Sequence, residues 1–211
     1  CIMKVLVACE FSGIVREAFA KKGHDAMSCD LLPTEQPGNH YQGDVRDILD
    51  EGWDLMIAHP PCTFLANSGA RWLYTKDEFG NRVTDLNRMY EVKMGADFFL
   101  ELYNANIKRI CIENPIQHKI ARMMINKPYT QIVRPYQFGE NSTKATCLWL
   151  KKLPKLHPTN IITPEKHTTK TGKVYDKWWF ETCLISDLKE RAKVRSMTFQ
   201  GIAEAMAEQW G

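Results

Sequence analysis

Short apolar runs broken by turn residues dominate the first half of the chain. Lys4-Val-Leu-Val-Ala-Cys9 leads into Glu10-Phe11-Ser12-Gly13 and reads as a buried strand entering a turn. A helix follows over about 13–22, with Ile14, Val15, Ala18 and Phe19 on one stripe, Ser12 placed to cap it and Gly23 to stop it. A second strand over 25–29 ends at Asp30, and a third short segment ends at Gly43-Asp44. Asp54-Leu-Met-Ile-Ala58 then runs into His59-Pro60-Pro61-Cys62. After a long connection over 63–85, the spacing predicts a helix over 86–105 whose Met89, Tyr90, Ala96, Phe99 and Leu102 face a sheet. Residues 107–112 form another apolar run, ending at Glu113-Asn114-Pro115.

Strands alternating with helices predict an α/β chain with a doubly wound, largely parallel, Rossmann-like sheet. Ligands bind such sheets at the carboxyl ends of the strands, and four of these ends carry polar or reactive residues: the Phe11–Gly13 turn, Asp30, Pro60–Cys62 and Glu113. Beyond 125 the pattern shifts to two strands, 130–133 and 146–150, read as an antiparallel pair. Residues 151–180 mix prolines, lysines and threonines with Trp178-Trp179-Phe180 and read as irregular. A final helix is expected over 202–210. The division is one domain of 1–150 and 193–211, interrupted by an insertion over 151–192.

Composition agrees with a folded domain: 44% of the 211 residues are hydrophobic and 25% charged. No apolar run approaches the roughly 20 residues that cross a bilayer, and no signal peptide is apparent. Met3 reads as the native start, with Cys1-Ile2 added before it. The seven cysteines show no C-x-x-C pair and no zinc-ligand spacing, so no metal site is expected. Five or six of them read as small buried hydrophobes of a reducing cytoplasm, with Cys62 the exception. The net charge of +3 decides little, but residues 151–182 hold seven lysines against Glu165, Asp176 and Glu181, a local excess of +4. Phosphate binding requires such an excess.

Chemistry concentrates at the strand ends. A glycine turn between strand and helix lets backbone approach a ligand closely and aims helix N–H groups at it. Asp30 is placed to accept ribose hydroxyls, and Asp44 to accept from an adenine amino group. The chain lacks G-x-G-x-x-G and a P-loop lysine, so an adenosine ligand with an amino-acid tail fits better than NAD or ATP. Two prolines hold the Cys62 thiol on a stiff turn, where a thiolate could attack an electrophilic carbon if a positive neighbour lowered its pKa. Glu113 could serve as the acid if burial raised its own. His59 reads as pocket wall rather than base.

These residues resemble the DNA cytosine-5 methyltransferase family. His59-Pro60-Pro61-Cys62 resembles its Pro-Cys motif, and Glu113-Asn114-Pro115 its Glu-Asn-Val. Glu10-Phe11-Ser12-Gly13, Asp30 and Gly43-Asp44 are similar to its cofactor motifs in the same order, and Phe199-Gln200-Gly201 to its last motif. The whole is similar to compact phage-encoded members. The resemblance implies an S-adenosylmethionine-dependent fold, Cys62 as nucleophile at cytosine C6, Glu113 as acid at N3, and Lys144 beside them. It also implies cofactor contacts at Phe11, Ser12, Gly13, Asp30, Leu31, Asp44, Val45 and Pro60. The departures are Thr63 for the usual Gln, Ser142-Thr143-Lys144-Ala145-Thr146 for Gln-x-Arg-x-Arg, and Gln200-Gly201 for Gly-Asn. The last leaves room for a modified derivative of the cofactor.

A cytosine inside a duplex must be extruded to react. The 63–85 connection is expected to fold over DNA with Ser68, Arg71 and Arg82, and Thr146 is expected to contact it as well. The short insertion points to low sequence specificity, or to a homo-oligomer or partner chain that supplies recognition. RNA, a free pyrimidine nucleotide and a non-catalytic nucleic-acid-binding relic stand as alternatives.

Overall fold

The computed structural model describes residues 1–211. In chain order its elements begin with β1 (Lys4–Ala8), α1 (Ile14–Lys21), β2 (Asp25–Asp30), β3 (His40–Gln42) and β4 (Leu55–Ala58). A hairpin of β5 (Tyr74–Lys76) and β6 (Arg82–Thr84) precedes α2 (Leu86–Asn104), β7 (Arg109–Pro115), α3 (Lys119–Ile125), β8 (Gln131–Val133) and β9 (Thr146–Lys151). The chain closes with β10 (Lys166–Thr168), β11 (Val174–Asp176), α4 (Lys177–Leu184), α5 (Leu188–Ser196) and α6 (Gln200–Trp210). One seven-stranded sheet has the order β3-β2-β1-β4-β7-β9-β8. The first five strands of that order are parallel, and β9 runs antiparallel to both β7 and β8. No helix is long and apolar enough to cross a membrane.

The central strands read as continuous apolar runs because both faces of the sheet are covered. Side chains alternate along each strand, so Leu6, Ala8, Met56, Ala58, Ile110 and Ile112 pack toward α2 and α3. Val5, Val7, Leu55, Ile57, Cys111 and Leu148 pack toward α1 and α6 on the other face. The first turn of the 151–192 segment belongs to this second layer: Leu156 is buried in it, and the Pro154 carbonyl accepts from the Trp210 indole.

Several expectations change. Ser12 is not the main cap of α1; the buried Glu10 carboxylate accepts from the backbone N–H of Val15 at 2.7 Å and of Arg16 at 3.2 Å. Arg16, a position the sequence does not single out, is buried and donates to Ser28, Thr34 and the carbonyls of Gln36 and Pro37, holding the 34–37 loop. Tyr90 is 61% exposed, and Val92 takes the sheet-facing place instead. β7 does not stop at 112 but continues through Glu113-Asn114-Pro115, because β9 pairs with it to the end. The cysteine reading holds for Cys29, Cys111 and Cys147, whereas Cys1 and Cys183 are exposed.

Candidate active site

The carboxyl ends of β1, β2, β3, β4 and β7 meet at one edge of the sheet. Because β9 is antiparallel, its amino end and the preceding Ser142–Lys144 segment reach the same edge, with Thr146 opposite Pro115. Ala58 pairs with Ile112, so His59 and Glu113 follow side by side on neighbouring strands. Strand alternation turns both toward the same face, and His59 Nδ1 lies 2.9 Å from Glu113 Oε2, each side chain 13% exposed. Thr198, just before α6, donates its hydroxyl to the same oxygen at 3.1 Å.

These contacts reverse the expected state of Glu113. Burial pushes its carboxyl up, but the hydrogen bond and charge of His59, the charge of Lys144 and the Thr198 hydroxyl together hold it below the usual carboxylate range. Burial pushes the His59 imidazole down, and Glu113, with help from Glu10, outweighs this and holds it above its usual value against the opposing charge of Lys144. Glu113 on its own is therefore a carboxylate, not a waiting acid.

Cys62 sits partly buried on the turn after β4, where Leu65 and Ala66 N–H groups donate to its carbonyl. Asn114 Nδ2 donates to the Pro60 carbonyl at 3.0 Å and ties the turn to β7. Burial raises the thiol pKa; the charge of Lys144 opposes this and the charge of Glu113 adds to it, so the net direction is upward, contrary to the lowered value expected of a free nucleophile. Lys144 Nζ donates to the Arg195 carbonyl at 2.7 Å and lies 5.9 Å from the Phe199 ring.

The turn divides two cavities. One, of about 360 Å³, is lined by Asp30, Leu31, Asp44 and Val45 from the ends of β2 and β3, and by Pro61 and Phe64 of the turn. The other, of about 660 Å³, is lined by Cys62 and Thr63 of the same turn together with Ser68, Arg71, Trp72 and Arg88. Glu113 and Lys144 line neither.

In the smaller cavity, Asp30 Oδ1 accepts from the Leu32 N–H, leaving Oδ2 free. Both Asp44 oxygens are engaged by Arg46, through its backbone N–H and its guanidinium at 3.0 Å each. The Arg46 backbone bond is the foremost cause that lowers the Asp44 pKa. Phe11, Ser12 and Gly13 stand outside this cavity, and Pro61 rather than Pro60 forms its wall. The N–H groups of Ile14, Val15 and Arg16 are already taken by Ser12 and Glu10, so the α1 amino end does not present free donors.

Of the residues expected at nucleic acid, Ser68 and Arg71 line the Cys62 cavity, and Arg82 lies on the β5–β6 hairpin over the Tyr74 ring at 3.9 Å. Thr146 is 3% exposed inside the sheet, closed to such a partner by its pairing in β9. Three participants escaped the sequence reading, His59 as partner of Glu113, Thr198 and Arg88, and Glu10 was seen there only as part of a motif and not as the cap of α1. Arg88 donates to the Thr63 carbonyl at 3.0 Å and stacks on Phe64. For His59 the signal was present, since two strand ends in register put successive residues in contact.

No protein-family profile and no curated protein matches the chain. Among solved structures, an E. coli protein described as a candidate DNA modification methyltransferase encoded within a prophage superposes on 76% of this chain and 52% of its own. The identity is 16% and the TM-score 0.46, and this chain spans about half the length of that protein.

Proposed function

We propose that the chain is an S-adenosylmethionine-dependent DNA cytosine-5 methyltransferase in which Cys62 adds to C6 of an extruded cytosine. The carrying observation is the shared wall: Pro61 and Phe64 face one cavity while Cys62, between them, faces the other. A group-transfer enzyme needs its two substrates in adjoining pockets with the reactive side chain at the partition.

The residues of the smaller cavity fit the nucleoside part of the cofactor. Asp30 has a free carboxylate oxygen for ribose hydroxyls, and Leu31, Val45, Phe64 and Phe98 offer apolar walls to a purine. Asp44, neutralised by Arg46, is less an acceptor than an anchor for the loop. S-adenosylmethionine bound there supplies an electrophilic methyl group.

The chain's own residues do the rest. The proline turn fixes Cys62, Arg88 holds that turn to the first turn of α2, and Lys144 offsets the negative charge of a thiolate. Arg71 and Ser68 beside Cys62 suit backbone phosphate, and Arg71 stacked on Trp72 and Arg82 on Tyr74 present cations backed by aromatic rings. A small basic patch of this kind serves DNA better than a protein partner. The test is incubation with radiolabelled S-adenosylmethionine and, separately, duplex DNA, RNA or dCMP. Label should enter duplex DNA at cytosine C5; label in none of the three contradicts the reading. Asp30→Ala should weaken cofactor binding by about tenfold, the worth of roughly one charge-assisted hydrogen bond; unchanged affinity by calorimetry would remove Asp30 from the ribose.

A further inference from the structure

A carboxylate cannot donate a proton, and Glu113 is held as a carboxylate by the groups around it. Its one contact able to lend it a proton of suitable acidity is His59 Nδ1, at 2.9 Å. The Thr198 hydroxyl also touches Oε2 but is far too weak an acid. The imidazole has no other polar contact: its Nε2 is buried without a hydrogen-bond partner. The ring is thus committed to Glu113 by register, by hydrogen bond and by the lack of any competing acceptor.

We propose that His59 and Glu113 act as one buried proton-holding pair, in which His59 is a positioning residue that lends Glu113 the proton passed on to the pyrimidine ring. The inference rests on the function proposed above and adds a residue to it. Every charged group facing the pair bears on its proton: Glu10 at the end of β1 favours the imidazolium, while Lys144 before β9 opposes it and favours the carboxylate. Cys62, on the turn beyond, couples to Glu113 and Lys144. The pair holds one proton under these opposed fields, which lets it release that proton when a ring nitrogen becomes basic.

The step balances. The Cys62 thiolate forms a bond to C6, the C5–C6 electron pair moves to C4–C5, and the C4–N3 pair moves to N3. N3 takes a proton from Glu113, which takes the Nδ1 proton of the His59 imidazolium, leaving the imidazole neutral. On elimination the sulfur–carbon bond breaks, the ring double bonds return, and the N3 proton passes back through Glu113 to His59.

Two readouts on the full chain test this without turnover of the cofactor. The first is nitrogen NMR of histidine-labelled protein across pH 5 to 9, in the wild type and in Glu113→Gln. The second is release of tritium from C5-tritiated cytosine in DNA, which needs addition at C6, uptake of a solvent proton at C5, loss of the tritium from C5 and elimination, but no methyl transfer. His59 should gain its second proton above the usual value of 6.5 in the wild type and below it in Glu113→Gln, where burial and the charge of Lys144 are opposed by Glu10 alone. His59→Gln keeps an N–H for Glu113 but holds no transferable proton. It should fold, keep Cys62 open to alkylation and lose about a hundredfold or more in tritium release, the usual scale of general-acid assistance. Wild-type release with an unslowed His59→Gln, or a His59 titration unmoved by Glu113→Gln, overturns the pair. A coupled titration without tritium release by the wild type overturns the cytosine reading instead, and with it the destination of the proton.

Discussion

A thiol on a proline turn is only as reactive as its surroundings allow, and those of Cys62 hold it protonated. Burial raises its pKa above the usual 9.0, and the Lys144 charge recovers part of the cost. Alkylation by iodoacetamide, followed by mass spectrometry, should therefore be slow at pH 7 and accelerate as pH climbs through a midpoint above 9. Exposed Cys1 and Cys183 should react first. Lys144→Met should move the Cys62 midpoint further up; a midpoint below that of the exposed cysteines would show an activated thiolate already in place. Cys62 and Glu113 stood out in the sequence because each follows an apolar run and is framed by prolines or Asn-Pro. What the residues would do to one another was not legible, since the inversion of Glu113 depends on neighbours 54 and 85 positions away by the hydrogen bonds and ion pair that hold it.

At the scale of elements, β1, β4 and the middle of β7 announced themselves because a strand covered on both faces is apolar at every position. The Cys147–Leu150 stretch of β9 was legible for the same reason, whereas the edge strand β8 showed only Ile132-Val133 after a polar Gln131. α3 was missed because its seven residues give barely two turns of periodicity, and α5 because none of its residues is buried. The fit of α6 is tight against the β8–β9 connection. A Cβ on Gly201 would lie 2.0 Å from the Phe138 carbonyl oxygen, a backbone atom with no rotamer to escape into, while the Gly201 N–H donates to Glu140 at 2.9 Å. Gly201→Ala should destabilise the fold by about 1–3 kcal/mol in urea unfolding, the usual cost of overpacking. An unchanged midpoint would mean that the helix start is looser than the contact implies.

At the scale of the molecule, two small hairpins stand apart from the main sheet. β5–β6 grows from the connection directly after Cys62, and β10–β11 from the lysine-rich insertion, where 166–175 carries Lys166, Lys170 and Lys173 and no acid. Under the proposed function these are the two ribbons that meet phosphate, in a region the sequence showed only as proline, lysine and threonine without period. The helices beside β10–β11 pack through His167 stacked on Phe180 at 3.7 Å and Arg195 over Trp179 at 3.8 Å rather than through an apolar core. Such packing gives little hydrophobic pattern to read. The central claim is the bond from Cys62 to a cytosine ring, and it is tested most directly with DNA carrying 5-fluorocytosine, where fluorine in place of the C5 proton blocks elimination. With S-adenosylmethionine present, the wild type should form an adduct that survives denaturing electrophoresis and maps by mass spectrometry to Cys62, and Cys62→Ser should form none. An adduct formed equally by Cys62→Ser, or none formed by a wild type that methylates DNA, would contradict it.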